Sequence, residues 1–535
     1  MSLVLENRGV GTNADVQRFL GGREATFGDP FALPGFGEAL RHLREAVHSR
    51  RLISVYGDFD VDGITSTAIL TEALRDLGGQ VLPYIPHRER EGYGVNIRAI
   101  DSLADRGVEV LVTCDCGTTA NPEVEHAREL GMDVIVVDHH IPPLTLPQTS
   151  ALLNPKLEPD AHHTEFSTAG LAFRLAGALY DAEHRDFPED RYAELGALGT
   201  VADMVPLLGE NRELVRRGLT AIARTQRPGL KALIEVANLR SKVNAEAIAF
   251  SLAPRINAAG RLADARLALD LLLTPDSELA LDLASKIDVL NRERQRMTQE
   301  SQDLAAELAS ERRGAPLTVV GHPDFHQGII GLVASRLVES LGRPAAVYQQ
   351  GESESRGSCR SIPEYDITGG LRACGDLFER YGGHRQAGGF TIRSPRLAEL
   401  EDRLVGHAAR TLEGYDLTPV LDIDAEWPLS DLRSQEIRWL GKLEPHGQAN
   451  PQATLLSRDV AVVEARTIGN GDRHLRLKLK SSGVVWPAIA FGWEGDVPEE
   501  GSRVDLVYGL SADRYGSTEN GGMLQLSLLD MAPAS

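Results

Sequence analysis

The sequence predicts an α/β protein with three folded units: a parallel-sheet domain, a second α/β domain joined to it by a long helix, and a C-terminal OB-like β-barrel. Three observations predict this fold class. A chain of 535 residues is too long for one hydrophobic core. Short apolar runs alternate with helical stretches in the two α/β regions. After about residue 412, strand-like runs with turn residues between them replace the helices.

The first sheet is predicted from buried strands that helical stretches separate. The apolar runs are Leu52–Tyr56, Val81–Ile85, Val108–Thr113 and Val134–Val137. Continuous apolar runs of this length, separated by helices, are typical of a parallel sheet covered on both faces. Gly78, Gly107 and Gly131 stand where C-terminal helix caps belong.

The rest of the chain predicts a linear arrangement of segments. Residues 165–272 have helical patterns, and Pro275–Arg313 is one polar stretch with apolar residues at helical spacing, typical of a solvated helix that links two lobes. A second α/β unit begins at Leu317. We expect the following segments: 1–45, an N-terminal segment packing on the core; 46–272, the first domain with a helical extension; 273–313, the connecting helix; 314–412, the second domain; and 413–535, the barrel.

The C-terminal region predicts a small β structure. Its strand-like runs are Val460–Ala465, Leu475–Lys480, Val484–Phe491, Val504–Leu510 and Leu524–Leu528. Five short strands fit a barrel, of which the OB-fold is a common type that binds nucleic acid. An immunoglobulin-like sandwich is the open alternative.

Composition excludes several classes of protein. A net charge of −21 argues against a uniformly basic, DNA-coating surface, although a local basic groove stays possible. Four cysteines are too few to staple such a chain and fit a reducing compartment. No window approaches the roughly 20 apolar residues of a membrane span, and no export signal is visible. We therefore expect a cytoplasmic protein without membrane contact.

The most informative motif follows the first predicted strand. Asp58, Asp60 and Asp62 occupy alternate positions, so their carboxylates converge on one side of an extended chain and repel each other without a cation. A hard divalent metal ion would resolve this repulsion. The alternatives are a solvated acidic turn and a calcium loop. The EF-hand form of that loop is excluded because Ile69 stands where its twelfth-position Glu belongs.

Further potential ligands end neighbouring strands. Asp115 follows the third run, and Asp138, His139 and His140 follow the fourth. The carboxyl ends of parallel strands face one crevice. Asp203 lies within an apolar stretch, where an isolated carboxylate would be costly unless paired or bound to metal. Carboxylates with imidazoles suit Mn²⁺ or Mg²⁺, and a bridging carboxylate between two such ions would allow two-metal hydrolysis of a phosphodiester.

These motifs, in this order, resemble those of the DHH phosphoesterase family. The segment Tyr381–Gly389, which contains His384, resembles the glycine-rich signature of the DHH-associated second domain. One position departs from the pattern: Tyr56 stands where other branches of the family have a histidine. RecJ-like members of the family also tend to lack this histidine. This departure leaves the occupancy of one metal site and the role of Asp58 open.

Several arginine-rich stretches narrow the resemblance to RecJ-type exonucleases. Arginine offers a planar fork to phosphate oxygens, and nearby Gly and Ser residues let backbone N–H groups approach. Each arginine alone would be interpreted as an ordinary surface residue. The substrate-binding residues that the resemblance implies are Arg88, Tyr93, Arg255, Asn257, Arg261, Arg356, Ser358, Arg360 and His384. Tyr93 could stack on a base or serve as a core residue.

The resemblance implies a 5′→3′ exonuclease that degrades single-stranded DNA to mononucleotides in DNA repair and recombination. Two Mn²⁺ or Mg²⁺ ions would be held by Asp60, Asp62, Asp115, His139 and Asp203, with Asp115 bridging. Asp58 would be a ligand or lie behind the ligands. Asp138 would orient His139, and His140 would contact the scissile phosphate.

The partners implied are single-stranded DNA, a single-strand-binding protein and a helicase. One alternative is a phosphodiesterase for short oligoribonucleotides or cyclic dinucleotides, which would not need the barrel. The other is a non-catalytic DNA-binding scaffold, which intact acids in every motif argue against.

Overall fold

The computed structural model describes residues 2–20, 27–88, 91–92, 94–158, 165–240, 242–312, 314–432, 434–469, 474–493, 495–512 and 524–534. Its first sheet is fully parallel, with strand order β2-β1-β3-β4-β5. The strands are β1 Leu52–Gly57, β2 Gln80–Tyr84, β3 Val110–Cys114, β4 Asp133–Val137 and β5 Ala151–Leu153. The chain leaves β1 toward one edge through β2 and continues toward the other through β3. The crevice beside β1 is therefore where such a sheet binds ligands.

The helices that precede the connecting helix all belong to this domain except the first two, and they cover both faces of its sheet. They are α1 Ser2–Asn7, α2 Asn13–Phe19, α3 Phe36–His48, α4 Val61–Asp76, α5 Ile97–Asp105, α6 Asn121–Glu129, α7 Thr168–Ala182, α8 Glu189–Ala202, α9 Gly209–Ile222, α10 Pro228–Val236, α11 Ala245–Ala247, α12 Ala253–Leu262 and α13 Arg266–Leu273. A π-helical segment, Ile248–Leu252, joins α11 to α12. Gly78, Gly107 and Gly131 adopt positive φ angles after α4, α5 and α6, which confirms their predicted capping role.

Helix α14, Ser277–Ser310, is one element of 34 residues, about 50 Å long. Its first half packs on α10, α12 and α13. Its second half packs on α15, Ile330–Leu341, and on the first strand of the second sheet. The long helix predicted from the polar stretch is therefore present and belongs to both lobes.

The second domain contains a mixed sheet of order β6-β7-β8-β10-β9. Its strands are β6 Thr318–His322, β7 Ala345–Gln349, β8 Glu354–Arg360, β9 Phe378–His384 and β10 Ala387–Arg393; its further helices are α16 Ile367–Ala373 and α17 Leu397–Thr411. Strand β9 lies at the sheet edge, and most of its residues are exposed. The glycine-rich segment forms the hairpin of β9 and β10, in which the edge strand β9 is exposed and β10 is partly buried.

The C-terminal region is a closed barrel. It contains α18 Ser434–Leu440, β11 Ala425–Glu426, β12 Leu455–Ile468, β13 His474–Ser481, β14 Val484–Phe491, β15 Arg503–Ala512 and β16 Leu524–Pro533. Strands β12 to β16 follow the order β12-β13-β14-β16-β15, and β15 pairs back onto β12. This closure excludes the sandwich alternative and confirms the predicted fold class.

The N-terminal segment differs from its prediction. Helix α3 packs in the core of the first domain, but Val4 and Leu5 of α1 are buried in the core of the barrel. Arg8 donates two hydrogen bonds of 2.9 Å to Asp424, just before β11. The prediction that residues 1–45 pack as one segment on the core is therefore wrong for residues 2–20, whose apolar side chains complete the barrel.

Short 3₁₀ turns occupy Pro30–Ala32, Pro155–Leu157, Gly375–Leu377, Ser394–Arg396, Leu429–Asp431 and Gly441–Leu443. Within the described ranges, no helix has both the length and the apolar character needed to cross a bilayer.

Candidate metal centre and interlobe cleft

Three acidic residues continue the sheet by one residue beyond its strands. The backbone N–H of Asp58 donates to the Cys114 carbonyl at 3.2 Å, and that of Asp115 donates to the Val137 carbonyl at 3.0 Å. The N–H of Asp138 donates to the Leu153 carbonyl at 3.0 Å. Because these bonds keep the sheet register, the three acids lie side by side at the carboxyl edge of β1, β3 and β4.

Asp115 adopts a left-handed backbone conformation, with φ at 63°. This conformation is uncommon for residues other than glycine, although aspartate tolerates it better than most. Strain of this kind persists where the surroundings fix the backbone, and it is found disproportionately at functional sites. Here it turns the chain immediately after β3, at the point where the acid leaves the sheet.

Asp60 and Asp62 are fixed by helix N-termini. Asp60 caps α4 by accepting a hydrogen bond of 3.0 Å from the N–H of Gly63. The buried Asp62 carboxylate accepts 2.7 Å and 2.8 Å hydrogen bonds from the first two N–H groups of α7, those of Thr168 and Ala169. The helix dipole of α7 favours the charged form of this carboxylate.

The His139 ring lies at the centre of the carboxylates. Its Nε2 is 3.3 Å from Asp115 Oδ1, 3.5 Å from Asp203 Oδ2 and 4.0 Å from Asp62 Oδ2. In each of three sets, potential ligand atoms lie within 4.8 Å of one another: Asp62 with His139 and Asp203, Asp58 with Asp60 and Asp115, and Asp115 with His139 and His140. Asp115 and His139 connect these sets, so the geometry supports two neighbouring cation positions.

Burial and mutual repulsion disfavour the charged forms of these carboxylates. Burial, and then neighbouring carboxylates, raise the pKa of Asp62 to about 7 and that of Asp203 to about 9. The same causes raise the pKa values of Asp58 and Asp115. Burial, followed by the charge of His140, lowers the pKa of His139 to about 3, so its imidazole is neutral.

A divalent cation fits this set of donors. Within the described residues, Asp58 Oδ1 and Asp203 Oδ2 are buried without a hydrogen-bond partner. Carboxylate oxygens with one or two neutral imidazoles suit Mn²⁺ or Mg²⁺. The cation would relieve the mutual repulsion of the acids and coordinate the two unpartnered oxygens.

Asp138 contacts a different histidine ring from the predicted one. Its Oδ1 accepts hydrogen bonds from the backbone N–H of His139 at 2.7 Å and from Nδ1 of His140 at 2.7 Å. The prediction that Asp138 orients the His139 ring is wrong, because that ring turns toward the carboxylates while the His140 ring folds back. Although burial acts the other way on each group, this bond lowers the pKa of Asp138 and raises that of His140.

Several supporting residues were missed in the sequence. The buried Asn154, at the end of β5, donates to the His140 carbonyl at 2.8 Å and to Thr118 Oγ1 at 3.0 Å. Thr168 Oγ1 donates to Asp115 Oδ1 at 3.2 Å. The available signals were weak: a polar residue after the short run Ala151–Leu153, and Ser167 as the capping residue of α7.

Tyr56, at the position of the departure from the family pattern, does not contribute to the ligand sets. Its hydroxyl donates to the Gly94 carbonyl at 2.9 Å and accepts from Asn96 at 3.0 Å. Its ring stacks on Tyr84 at 5.3 Å. Tyr56 therefore fixes the segment that follows β2, while Asp58 belongs to the set with Asp60 and Asp115.

The two lobes meet above the metal centre. The ring of His384, at the end of β9, lies 6.3 Å from the ring of His140. Arg261 of α12 donates to the Gly328 carbonyl of the second domain at 3.0 Å. Side chains of both lobes thus meet at this junction, which we call the interlobe cleft.

The predicted substrate-binding residues separate into two classes. Arg261 and Arg360 lie in the cleft, and Arg360 donates to Ser358 Oγ at 3.0 Å. Burial, followed by the charges of Arg88, Arg294 and Arg360, lowers the pKa of Arg261 to about 10. The guanidinium of Arg88 lies 4.9 Å from the centre of the Phe59 ring, beside the first acidic motif.

The remaining predicted residues have structural partners or no described position. Arg255 pairs with Asp288 of α14 at 3.0 Å, and the exposed Arg356 pairs with Glu354 at 3.2 Å. Asn257 is half-buried on α12. Tyr93 lies outside the described residues.

Three family models match the chain. They describe the DHH family, N-terminal domain, at residues 52–200, the DHHA1 domain at 314–412 and the RecJ OB domain at 423–529.

Similar proteins match over most of the chain. The single-stranded-DNA-specific exonuclease RecJ of Bacillus subtilis is 36% identical over 525 residues, which cover 96% of this chain and 66% of that relative. The chain thus spans slightly less than two thirds of that relative's length. The protein of the same name from Dickeya dadantii is 35% identical over 512 residues, covering 90% of this chain and 88% of its own length.

The fold resembles a solved structure over its full length. The crystal structure of RecJ in complex with Mn²⁺ from Thermus thermophilus superposes with a TM-score of 0.86 at 32% identity. The match covers 100% of this chain and 76% of that one.

Proposed function

Because the chain belongs to the RecJ family of single-stranded-DNA-specific exonucleases, we propose that it is a metal-dependent exonuclease that degrades single-stranded DNA from the 5′ end to mononucleotides. One observation supports this most strongly: two adjoining ligand sets share Asp115, and Arg261 of the first lobe lies close to Arg360 of the second where the lobes meet. Such a site combines metal ligands with phosphate-binding groups.

The residues that would hold two Mn²⁺ or Mg²⁺ ions are Asp58, Asp60, Asp62, Asp115, His139 and Asp203. When bound, the ions supply Lewis-acid activation of water and of the scissile phosphate. Helix α7 holds Asp62 through two backbone hydrogen bonds, and Thr168 also holds Asp115. The protein thus fixes the spacing of the ligands before a cation arrives.

His140 would contact the scissile phosphate. Asp138 accepts a hydrogen bond from its Nδ1 and stabilises the charged ring, and a charged imidazole ring can donate to a phosphate oxygen. Arg88, Arg261, Ser358 and Arg360 would bind the terminal phosphate, and His384 would complete the site from the second lobe. A charge-assisted hydrogen bond of this kind contributes about 1.5–3 kcal/mol.

The barrel would bind the strand downstream of the cleft. Leu475, Leu477 and Leu479 of β13 are buried in the barrel core. Arg476, Lys478 and Lys480 alternate with them on the outward face, where Lys478 pairs with Glu464, and the exposed Phe491 lies on the neighbouring strand. Cations with an aromatic residue on an open sheet face are typical of single-strand binding.

The cellular setting is part of the proposal. We propose a cytoplasmic role in repair and recombination, with a single-strand-binding protein and a helicase as partners that present the strand. The four cysteines, each buried and free, agree with a reducing compartment.

The test digests 5′-labelled and 3′-labelled single strands side by side with Mn²⁺ or Mg²⁺. We expect the 5′ label to appear at once as a mononucleotide, while the 3′ label stays on progressively shorter strands. The reverse order, or endonucleolytic fragments, would contradict the proposed polarity. No cleavage of either strand at saturating metal would contradict the proposed activity.

A further inference from the structure

The inward face of the connecting helix carries one arginine that the proposed function does not use. Along α14, the buried positions in its middle are Ile287, Asp288, Asn291, Thr298, Ser301 and Ala305. At 3.6 residues per turn, position 294 falls on this same inward stripe, between Asn291 and Thr298. The residue there is Arg294. The other charge buried along this helix, Asp288, pairs with Arg255 and Arg292, whereas the remaining buried positions are uncharged.

Arg294 lies where the helix passes from one lobe to the other. The stripe before it packs on the first domain, and the stripe after it packs on α15 and β6 of the second. Arg294 is therefore at the cleft, between the surfaces that hold Arg261 and Arg360. Its guanidinium charge contributes to the lowered pKa of Arg261, after burial and the charge of Arg88.

No carboxylate neutralises Arg294 within the described part of the chain. Its Nε and Nη2 donate to Asn291 Oδ1 at 3.2 Å and 3.1 Å, and no ion pair is formed. Burial, followed by the charges of Arg336 and Arg255, lowers its pKa. A half-buried cation with cations as neighbours is costly unless an anion joins it.

The other arginines of α14 are different. Arg292 pairs with Asp288 at 2.6 Å, and Arg296 forms hydrogen bonds with both Glu293 and Glu300 on the outer face. Arg294 alone among these three faces inward and lacks an acidic partner in the described residues. Solvated ion pairs therefore account for its neighbours but not for Arg294.

We propose that Arg294 binds a backbone phosphate of the bound strand, one or more linkages downstream of the phosphate held by Arg261 and Arg360. This subsite rests on the proposed function for the identity of its ligand, single-stranded DNA. It makes the connecting helix part of the binding surface in addition to its role as a linker. Arg336, which extends from α15 toward Gln302 of α14, continues the cationic surface on the second lobe.

The test measures binding without cleavage, in full-length protein with divalent ions chelated. The probe is a 5′-phosphorylated single strand of twelve nucleotides. For Arg294→Gln we expect about tenfold weaker binding, and a slope of log Kd against log salt that is smaller by about 0.7, the value for one phosphate contact on single strands. Arg296→Gln is the matched control on the outer face, and we expect no change in either quantity.

Neutral linkages then locate the contact. One methylphosphonate is moved along the strand, and the linkage that Arg294 binds should weaken wild-type binding about tenfold but Arg294→Gln binding little. An equal loss of affinity at every linkage in both proteins would overturn the proposal. Arg294 would then affect binding through the arrangement of the lobes and not through contact with one phosphate. Arg294→Lys keeps the charge and should retain most of the wild-type salt slope; a slope as low as that of Arg294→Gln would also contradict a phosphate contact.

The two proposals fail separately. If the wild type binds single strands but does not cut them with Mn²⁺, the nuclease proposal fails. The Arg294 subsite is then still tested by the slope of log Kd against log salt. Wild-type protein that binds no single strand would overturn both. If Arg294→Gln proves unstable by thermal unfolding, the Arg294→Lys variant with the methylphosphonate series decides the question.

Discussion

At the scale of single residues, substitution of Asp115 should have the largest effect on activity, because Asp115 belongs to two ligand sets. We expect Asp115→Asn to lower kcat at least a thousandfold, about 4 kcal/mol of activation free energy, at saturating Mn²⁺. Asparagine is the appropriate replacement because it tolerates the positive φ of this position. Turnover within tenfold of wild type would contradict a bridging role.

The same substitution should stabilise the metal-free protein, because it removes one of several carboxylates that repel one another in a buried site. Thermal unfolding in chelator tests this: Tm should rise in Asp115→Asn, whereas added Mn²⁺ should stabilise the wild type more than the variant.

A second expectation concerns pH. The pKa values of Asp62 and Asp203 are raised to about 7 and about 9 in the folded protein, so the folded state binds more protons than the unfolded state above pH 4. Stability of the metal-free protein should therefore fall as pH rises from about 5 to about 9. Mn²⁺ should reduce this loss, because it replaces the protons. A metal-free Tm that rises over this range would contradict the assignment.

Residue patterns in the sequence predicted the candidate metal ligands, but they did not predict the hydrogen bonds that hold those ligands in place. Asp58, Asp60 and Asp62 were recognisable because acids at alternate positions after an apolar run repel one another unless a cation joins them. The hydrogen bonds of Asp62 to α7 could not be recognised in the sequence, since they join residues 106 and 107 positions apart. Arg294 was hidden for a related reason: only the packing of α14 between two lobes shows that its charge has no acidic partner in the described chain.

At the scale of elements, the contact of α8 with α4 and α7 positions Asp203. Gly199 permits this contact, since a Cβ there would lie 2.4 Å from Ala169 Cβ and 2.8 Å from Asp62 Oδ1. We expect Gly199→Ala to destabilise the protein by about 1–3 kcal/mol despite the better helix propensity of alanine, and to weaken Mn²⁺ binding.

The control for this prediction is Gly177→Ala in α7, where the nearest atom to a new Cβ is 3.5 Å away. That variant should bind Mn²⁺ as the wild type does and be at least as stable. Chemical denaturation and metal titration of both variants distinguish a steric effect at Gly199 from a general effect of alanine. Equal metal affinity in the two variants would show that the close approach of α8 is not required.

The barrel is the element whose contribution should grow with strand length. We expect the double variant Arg476→Gln with Lys480→Gln to weaken binding of long single strands tenfold or more, while cleavage of a tetranucleotide stays within twofold of wild type. Point variants are preferable to deletion, because removing the barrel would expose Val4 and Leu5. Equal losses of binding and cleavage on long and short substrates would contradict a role of these cations in binding the downstream part of the strand.

At the scale of the whole molecule, the cleft should admit one strand and exclude a duplex. His384 and His140 approach to 6.3 Å between ring centres, and Arg261 contacts the second lobe through a hydrogen bond. We expect a blunt duplex to be cut at least a hundredfold more slowly than the same sequence as a single strand, under identical salt and metal. Comparable initial rates would contradict a cleft closed on two sides.

The packing of residues 2–20 against the barrel has a consequence for the order of folding. Asn7 and Asp424, which form a hydrogen bond, are 417 positions apart, so a ribosome makes one partner long before the other. During synthesis, Val4 and Leu5 of α1 therefore stay exposed to solvent while both α/β domains are synthesised and fold. The barrel can close only when β16 has been released, and it then joins residues 2–20 to residues that are synthesised much later. A polypeptide that stops before the barrel would thus contain the candidate metal ligands but expose the apolar side chains of α1, and exposed apolar surface favours aggregation.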